Sequence, residues 1–129
     1  MGITFDIEKQ KFQFDFITMG LAPVLGAPLK WVYDQGASSQ RLHRITLAPG
    51  HGVGGIVLKS GRPMLFTDLD SQMDPREYSS FPIVFAEDLH SFCALPPRTE
   101  KRVAGVLLIG HRTADPAHKD LYRACIEYL

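Results

Sequence analysis

The sequence predicts an α+β domain in which a central antiparallel sheet is flanked by helices at both ends of the chain. Three observations carry that prediction. The stretch Leu47-Ala-Pro-Gly-His-Gly-Val-Gly-Gly-Ile-Val-Leu-Lys-Ser-Gly61 reads as strand end, glycine turn and short helix. Pro49 and the glycines break the apolar run of Ile45 and Leu47, whereas Val53, Ile56 and Val57 recur at helical spacing. Val106, Leu107, Leu108 and Ile109 form a run suited to a central strand buried on both faces. A last helix from Asp115 or Pro116 to Leu129 places Leu121, Cys125 and Tyr128 on one face.

Taken in order, residues Met1 to Ala27 support two patterns. Phe12, Phe14 and Phe16 alternate as in a strand, while Phe12, Phe16 and Met19 also share a helical face. Helix is the expectation, with Asp6 as N-cap and with Gly20 and Pro23 as its stop. Pro28 to Tyr33 then reads as a strand with Leu29, Trp31 and Tyr33 on one face. The polar turn Asp34 to Ser39 leads to Arg44 to Leu47 as its hairpin partner. Trp31 is a natural core residue, and its indole N–H needs a partner when buried.

The glycine turn feeds a helix that stops at Gly61. Pro63 to Thr67 reads as a strand, and Asp68 to Ser80 as a polar loop or broken helix containing Pro75. Ser79 and Ser80 ahead of Pro82 signal a short helix through Val84 and Phe85, followed by Glu87 and Asp88. His90 to Leu95 and Arg102 to Gly110 close the sheet as an antiparallel pair joined by a turn at Pro96 to Lys101.

Length and charge narrow the function. A chain of 129 residues fits one domain, 1–129, with 45% hydrophobic residues to build its core. Fourteen basic residues balance fourteen acidic ones, so no net field draws nucleic acid or an anionic membrane. Cys93 and Cys125 lack both CxxC spacing and paired histidines, which argues against a disulfide framework and against a metal site. Met1 to Met19 lacks a charged start and apolar run, and no window approaches the ~20 apolar residues of a membrane span, so a cytoplasmic protein is expected.

The glycine turn is where chemistry is expected. A helix start leaves its first N–H groups without intrahelical partners, and an anion can sit there. On the residues alone, the same glycines equally suit a tight turn against a sheet. Gly50 to Gly55 is also a literal G-x-G-x-x-G, with Asp70 near the ribose distance, but the segments after Gly61 lack the parallel strands and crossover helices of a dinucleotide fold. Leu58 precedes Lys59-Ser60, so no phosphate-loop G-K-S unit exists. His43, His51, His90, His111 and His118 are scattered along the sequence and read as surface or turn residues, with His51 beside the turn.

Three stretches together resemble a GAF domain, a small-ligand sensory fold. They are Pro49 to Met64, the strand Ser91 to Pro96, and Val103 to Gly110 before the last helix. Within that family the chain is similar to the small nitrate-receptor proteins of the NreA type. That resemblance implies a cytoplasmic sensor that binds nitrate in an enclosed pocket and modulates a sensor histidine kinase, with no cofactor and no enzymatic activity. It also implies a ligand set consisting of the Trp31 side chain, the paired amides of Val53 and Gly54, and the amide of Ile83. Val53 and Gly54 replace a larger aliphatic residue and an alanine of that pattern, a change expected to enlarge the pocket.

Two other readings belong to the same fold. One is an interaction module that binds a different ligand or none and pairs through terminal helices, as a homodimer or with a kinase. The other is a free methionine sulfoxide reductase, which needs an activated thiolate and a resolving partner that Cys93 and Cys125 do not clearly form.

Overall fold

A computed structural model describes residues 3–7, 10–24, 26–97 and 105–129, with side chains from Gln13 onward. Six strands form one antiparallel sheet: β3 (Phe16–Leu21), β4 (Leu29–Gln35), β5 (Thr46–Leu47), β6 (Met64–Phe66), β7 (Ser91–Leu95) and β8 (Gly105–His111). Their order across the sheet is β5-β4-β3-β8-β7-β6. Four helices join them: α1 (Gly52–Ser60), α2 (Leu69–Gln72), α3 (Pro82–Ala86) and α4 (His118–Tyr128). The α+β class follows directly.

The first residues depart from expectation. Ile3–Ile7 is a strand, β1, paired antiparallel with β2 (Gln10–Phe14), and β3 follows after the bend at Asp15. Asp6 is thus a strand residue opposite Lys11, and Gly20 lies within β3 instead of ending a helix. The region is strand, but Phe14 and Phe16 do not share a face as one alternating strand requires: the bend at Asp15 separates β2 from β3, so Phe14 packs with α4 on one side of the sheet and Phe16 with α1 and α3 on the other. The sheet is therefore flanked by a hairpin, not a helix, at its N-terminal end.

Central strands are buried on both faces, as the apolar run predicts. Val106 and Leu108 of β8 join one core, with Val53, Val57, Ile83 and Trp31, while Ile109 joins the second, with Leu121, Tyr122 and Cys125 of α4. Strand β7 divides its residues in the same way, with Phe92 and Ala94 on one face and Cys93 and Leu95 on the other. Tyr128, expected on the buried face of α4, is 44% exposed at the end of the helix.

Other element ends shift for local reasons. A 3-10 turn at Gln40–Arg44, capped by Ser39, shortens the expected hairpin partner to the two residues of β5. Asp74 caps a second 3-10 turn, Pro75–Ser80, which consumes Ser79 and Ser80, so Phe81 becomes the N-cap of α3. Gly61 stops α1 in the left-handed conformation at φ 68°. The turn expected within Pro96–Lys101 and the strand start at Arg102 fall mostly at residues 98–104, outside the described residues.

Candidate functional site

Trp31 leaves β4 toward the core that α1, α3 and the 3-10 turn cover, and it is 1% exposed. Room for its ring comes from two glycines. A Cβ added at Gly20, opposite Trp31 in the ladder, would lie 3.0 Å from Cε3, and one added at Gly54 would lie 3.2 Å from both Cζ2 and Cη2. The indole is therefore held between β3 and the first turn of α1. Nε1 is two bonds from Cζ2, an atom that a Cβ at Gly54 would meet.

This N–H is buried and has no hydrogen-bond partner. Leaving a donor in that state costs about 1–3 kcal/mol, so native structures seldom tolerate it without a bound water or ligand. Beside it, α1 begins at Gly52 with His51 as an extended N-cap that makes no side-chain cap bond. The first amides of a helix lack intrahelical acceptors, and here Gly52, Val53 and Gly54 are all buried. One buried side-chain donor and the buried start of a nine-residue helix thus belong to the same core.

Val53 and Ile83 are fully buried in the same core as Trp31. Ile83 follows Pro82 at the first position of α3, where Phe81 offers no side-chain cap. Of the four expected residues, Trp31 and Gly54 are brought into contact, and Val53 and Ile83 belong to the surrounding apolar cluster. The glycine at 54 does not enlarge the site: the space an alanine methyl would fill is taken by the Trp31 ring and by Leu29, whose Cδ2 would lie 2.9 Å from such a Cβ.

Tyr33 does not share the inward face of Leu29 and Trp31 as predicted, being 52% exposed. The β3–β4 register passes from Gly20–Trp31 to Met19–Tyr33 and skips Val32, a bulge that reverses the side-chain phase. Sequence periodicity also missed what surrounds this end of β4. His43, in the 3-10 turn, binds the Trp31 carbonyl at 3.0 Å and Asp34 at 2.7 Å. Glu87 is fully buried; its Oε1 accepts from Arg112 Nη2 and from the Ser38 amide, both at 2.8 Å, while Oε2 has no partner. Arg112 also donates to the carbonyls of Glu87 and Gly36, which ties β8 to the loop after β4.

A second polar cluster lies on the α4 side and corrects the reading of the histidines as scattered surface groups. His111 is 6% exposed and stacks on His118 with ring centroids 3.6 Å apart. His111 Nδ1 lies 2.7 Å from the Tyr122 hydroxyl, which in turn lies 2.9 Å from Ser91 Oγ, and His118 Nδ1 lies 2.8 Å from that same oxygen. Burial pushes both histidines below the usual imidazole value.

Neither cysteine is poised for thiolate chemistry. Both are buried; desolvation, reinforced by Cys125, pushes the Cys93 thiol far up, and desolvation raises Cys125 to about 11. Among the described residues, no three metal-ligating side chains cluster, and no helix is long and apolar enough to cross a membrane. An open groove of about 390 Å³ is lined by Gly50, Ile56, Lys59 and Ser60 and shares no residue with the four expected ones. Its lysine is exposed to water, whereas the Trp31 donor is desolvated, so the interior carries the stronger case for a bound group.

Comparison with known proteins agrees with this architecture. A mutated NreA protein of Staphylococcus aureus, characterised for changes in its nitrate binding site, is similar at 31% identity over 78% of this chain and 74% of its own, with a TM-score of 0.73. A hypothetical protein of S. aureus is similar at 31% identity over 80% and 85% of the two chains, with a TM-score of 0.74. A free methionine-R-sulfoxide reductase of Neisseria meningitidis, at 19% identity over 88% and 62% and a TM-score of 0.59, shares the fold alone. Comparison with curated proteins gives no match. The GAF domain model matches residues 8–124, and the chain belongs to the GAF domain family.

Proposed function

We propose that this GAF domain is a cytoplasmic nitrate sensor that modulates a sensor histidine kinase and catalyses no reaction. Nitrate accepts from the Trp31 indole N–H and the amides of Val53 and Gly54, with the Ile83 amide closing the far side. The observation that carries this reading is the buried, unpartnered Nε1 of Trp31 beside an uncapped helix start. A flat monoanion with three acceptor oxygens suits a ring N–H and the amides of a helix start in one core. The similarity to a protein with a nitrate binding site supports nitrate among such anions. A ligand-free interaction module accounts less well for the unpaired donor, and raised, buried thiols count against methionine sulfoxide reduction.

Nitrate has four heavy atoms, so a ceiling of about 1.5 kcal/mol per atom gives roughly 6 kcal/mol and a dissociation constant on the order of tens of micromolar. Calorimetry with nitrate, and with chloride and sulfate as controls, tests the assignment. Sulfate should bind more weakly because it carries a larger desolvation penalty. No heat and no thermal stabilisation at millimolar nitrate would remove nitrate as the ligand, and equal sulfate binding would reduce the site to an unselective helix start.

A further inference from the structure

Among the described residues, the edge of β4 beyond Lys30 has no strand partner on the β5 side. Strand β5 is two residues long and pairs only Leu47 with Leu29 and Thr46 with Lys30. On the opposite edge, the ladder to β3 is interrupted by the bulge at Val32, next to Trp31. The backbone that carries the tryptophan is therefore held by strand pairing on the β3 side, through Gly20, and lacks it on the β5 side. What takes the place of the missing strand is a side chain. The Trp31 carbonyl is bound by His43 Nδ1 at 3.0 Å, and the other ring nitrogen, Nε2, meets Asp34 Oδ1 at 2.7 Å.

Both partners are acceptors. A carbonyl oxygen has no hydrogen to give and a carboxylate oxygen has none either, so each contact requires a hydrogen on the imidazole nitrogen. A neutral imidazole carries only one, and either tautomer leaves one contact as two facing lone pairs. Both contacts are made together only by the imidazolium. We propose that His43 is a positioning residue for Trp31: its doubly protonated ring clamps the Trp31 carbonyl to Asp34, and anion affinity at the indole N–H rises with that protonation. The affinity arm rests on the proposed nitrate reading; the clamp itself does not.

The surroundings favour the charged form. The Trp31 carbonyl first, and the Asp34 carboxylate second, hold His43 above the usual imidazole value. The other charged groups on the packed elements are Lys30 of β4, Arg41 and Arg44 of the 3-10 turn, and Glu87 at the end of α3. The first three are exposed, and Glu87 is paired with Arg112. Asp34 is thus the one carboxylate within reach of the ring that no arginine or lysine neutralises among the described contacts.

Trp31 is the sole tryptophan, so intrinsic emission reports this position alone. The full chain is titrated from about pH 5.5 to about pH 9, across the imidazole range, without ligand. Emission should follow one transition with a midpoint above the ordinary imidazole value. His43→Gln should abolish it, Asp34→Asn should move its midpoint down, and His51→Gln, at the N-cap of α1, should leave it in place. Nitrate, which does not titrate here, should bind wild type about three- to tenfold more tightly at the acid end, equivalent by reciprocity to a rise of about 0.5–1 in the His43 pKa on binding. His43→Gln should bind nitrate equally at both ends.

Emission that is flat in wild type, or that titrates unchanged in His43→Gln, overturns the clamp. A transition lost in His51→Gln overturns it too, by assigning the proton to another histidine. Nitrate binding of equal strength at both ends of the range overturns the coupling. An intact emission transition with no nitrate heat at any pH overturns the nitrate reading and leaves the clamp standing.

Discussion

Trp31→Phe separates what the indole does for the fold from what it does for the ligand. The change removes roughly 40 Å³ from a fully buried position, which costs about 1 kcal/mol by the cavity relation. It also removes a buried donor that lacks a partner, and relief of that desolvated group returns about 1–3 kcal/mol. The two effects oppose each other, so the ligand-free variant should melt within a few degrees of wild type. On the proposed reading nitrate engages the donor, and the balance changes. Loss of a charge-assisted hydrogen bond costs about 1.5–3 kcal/mol, or roughly 10- to 150-fold in affinity. At a nitrate concentration about 100-fold above the dissociation constant, wild type gains about 2.7 kcal/mol, which for a domain of this size raises the melting temperature by roughly 10 °C. The variant should lose about half to nine-tenths of that rise. Differential scanning calorimetry of both proteins, with and without nitrate, measures all four states. A variant that folds and keeps the full nitrate-dependent rise would refute the assignment of the indole N–H to the ligand.

Adjacent glycines in α1 should answer alanine differently. Gly54→Ala meets the end of the Leu29 side chain and the Trp31 ring and gains about 1 kcal/mol of helix propensity, so its stability should stay within about 1 kcal/mol of wild type while tryptophan emission shifts. Gly55→Ala meets the Ala48 carbonyl oxygen at 2.6 Å, a backbone atom that cannot rotate away, and should cost about 2–3 kcal/mol by urea denaturation. Glu87→Ala strands Arg112 and the Ser38 amide; because the arginine side chain is 30% exposed, the loss should sit near about 2–3 kcal/mol, below the range for fully buried pairs. Acid should destabilise the domain through His111 and His118. Their folded pKa values lie below the unfolded value, so the stability they contribute is complete above about pH 6.5 and is lost as pH falls through the folded values; His118→Asn should flatten the acid side of a plot of melting temperature against pH. His43 has the opposite sign, since its folded value is raised, and its contribution disappears as pH rises through that value.

Sequence patterns located most of the sheet because burial imposes periods that one strand can carry alone. Val106 to Ile109 packs on both faces and reads as a continuous apolar run, and the glycine turn before α1 is a local signal that needs no distant partner. The N-terminal region misled for a comparable reason. Phe12 and Phe16 are four residues apart, a spacing that helix and strand both permit, and nothing nearby distinguishes a helix stop at Gly20 from a close approach of two chains there. What decides is β4, about ten positions later, where the Leu29 side chain first and the Trp31 ring second occupy the volume that a side chain at Gly20 would need. Ser79 and Ser80 failed as caps because Asp74 had already started a 3-10 turn through them.

The site divides along the same line. Helix starts and a lone tryptophan can be read from residue types, so the burial of Trp31 and the start of α1 were legible. The features that tune them were not. His43 reaches Trp31 only because a 3-10 turn folds it back onto the unpaired edge of β4, and the bulge at Val32 that turns Tyr33 outward is a matter of register, which composition does not encode. Backbone donors are indifferent to the side chain they accompany. Val53→Ala should therefore weaken nitrate less than Trp31→Phe does, because the amide remains and only packing is lost. Retuning this interior accordingly falls to residues that set where the indole lies: Gly20 and Gly54 on its two sides, Leu29 beside it, and His43 on its carbonyl. Of these, His43 alone can change its charge within the physiological pH range, so it is the position at which the pH of the surroundings can enter the response to an anion.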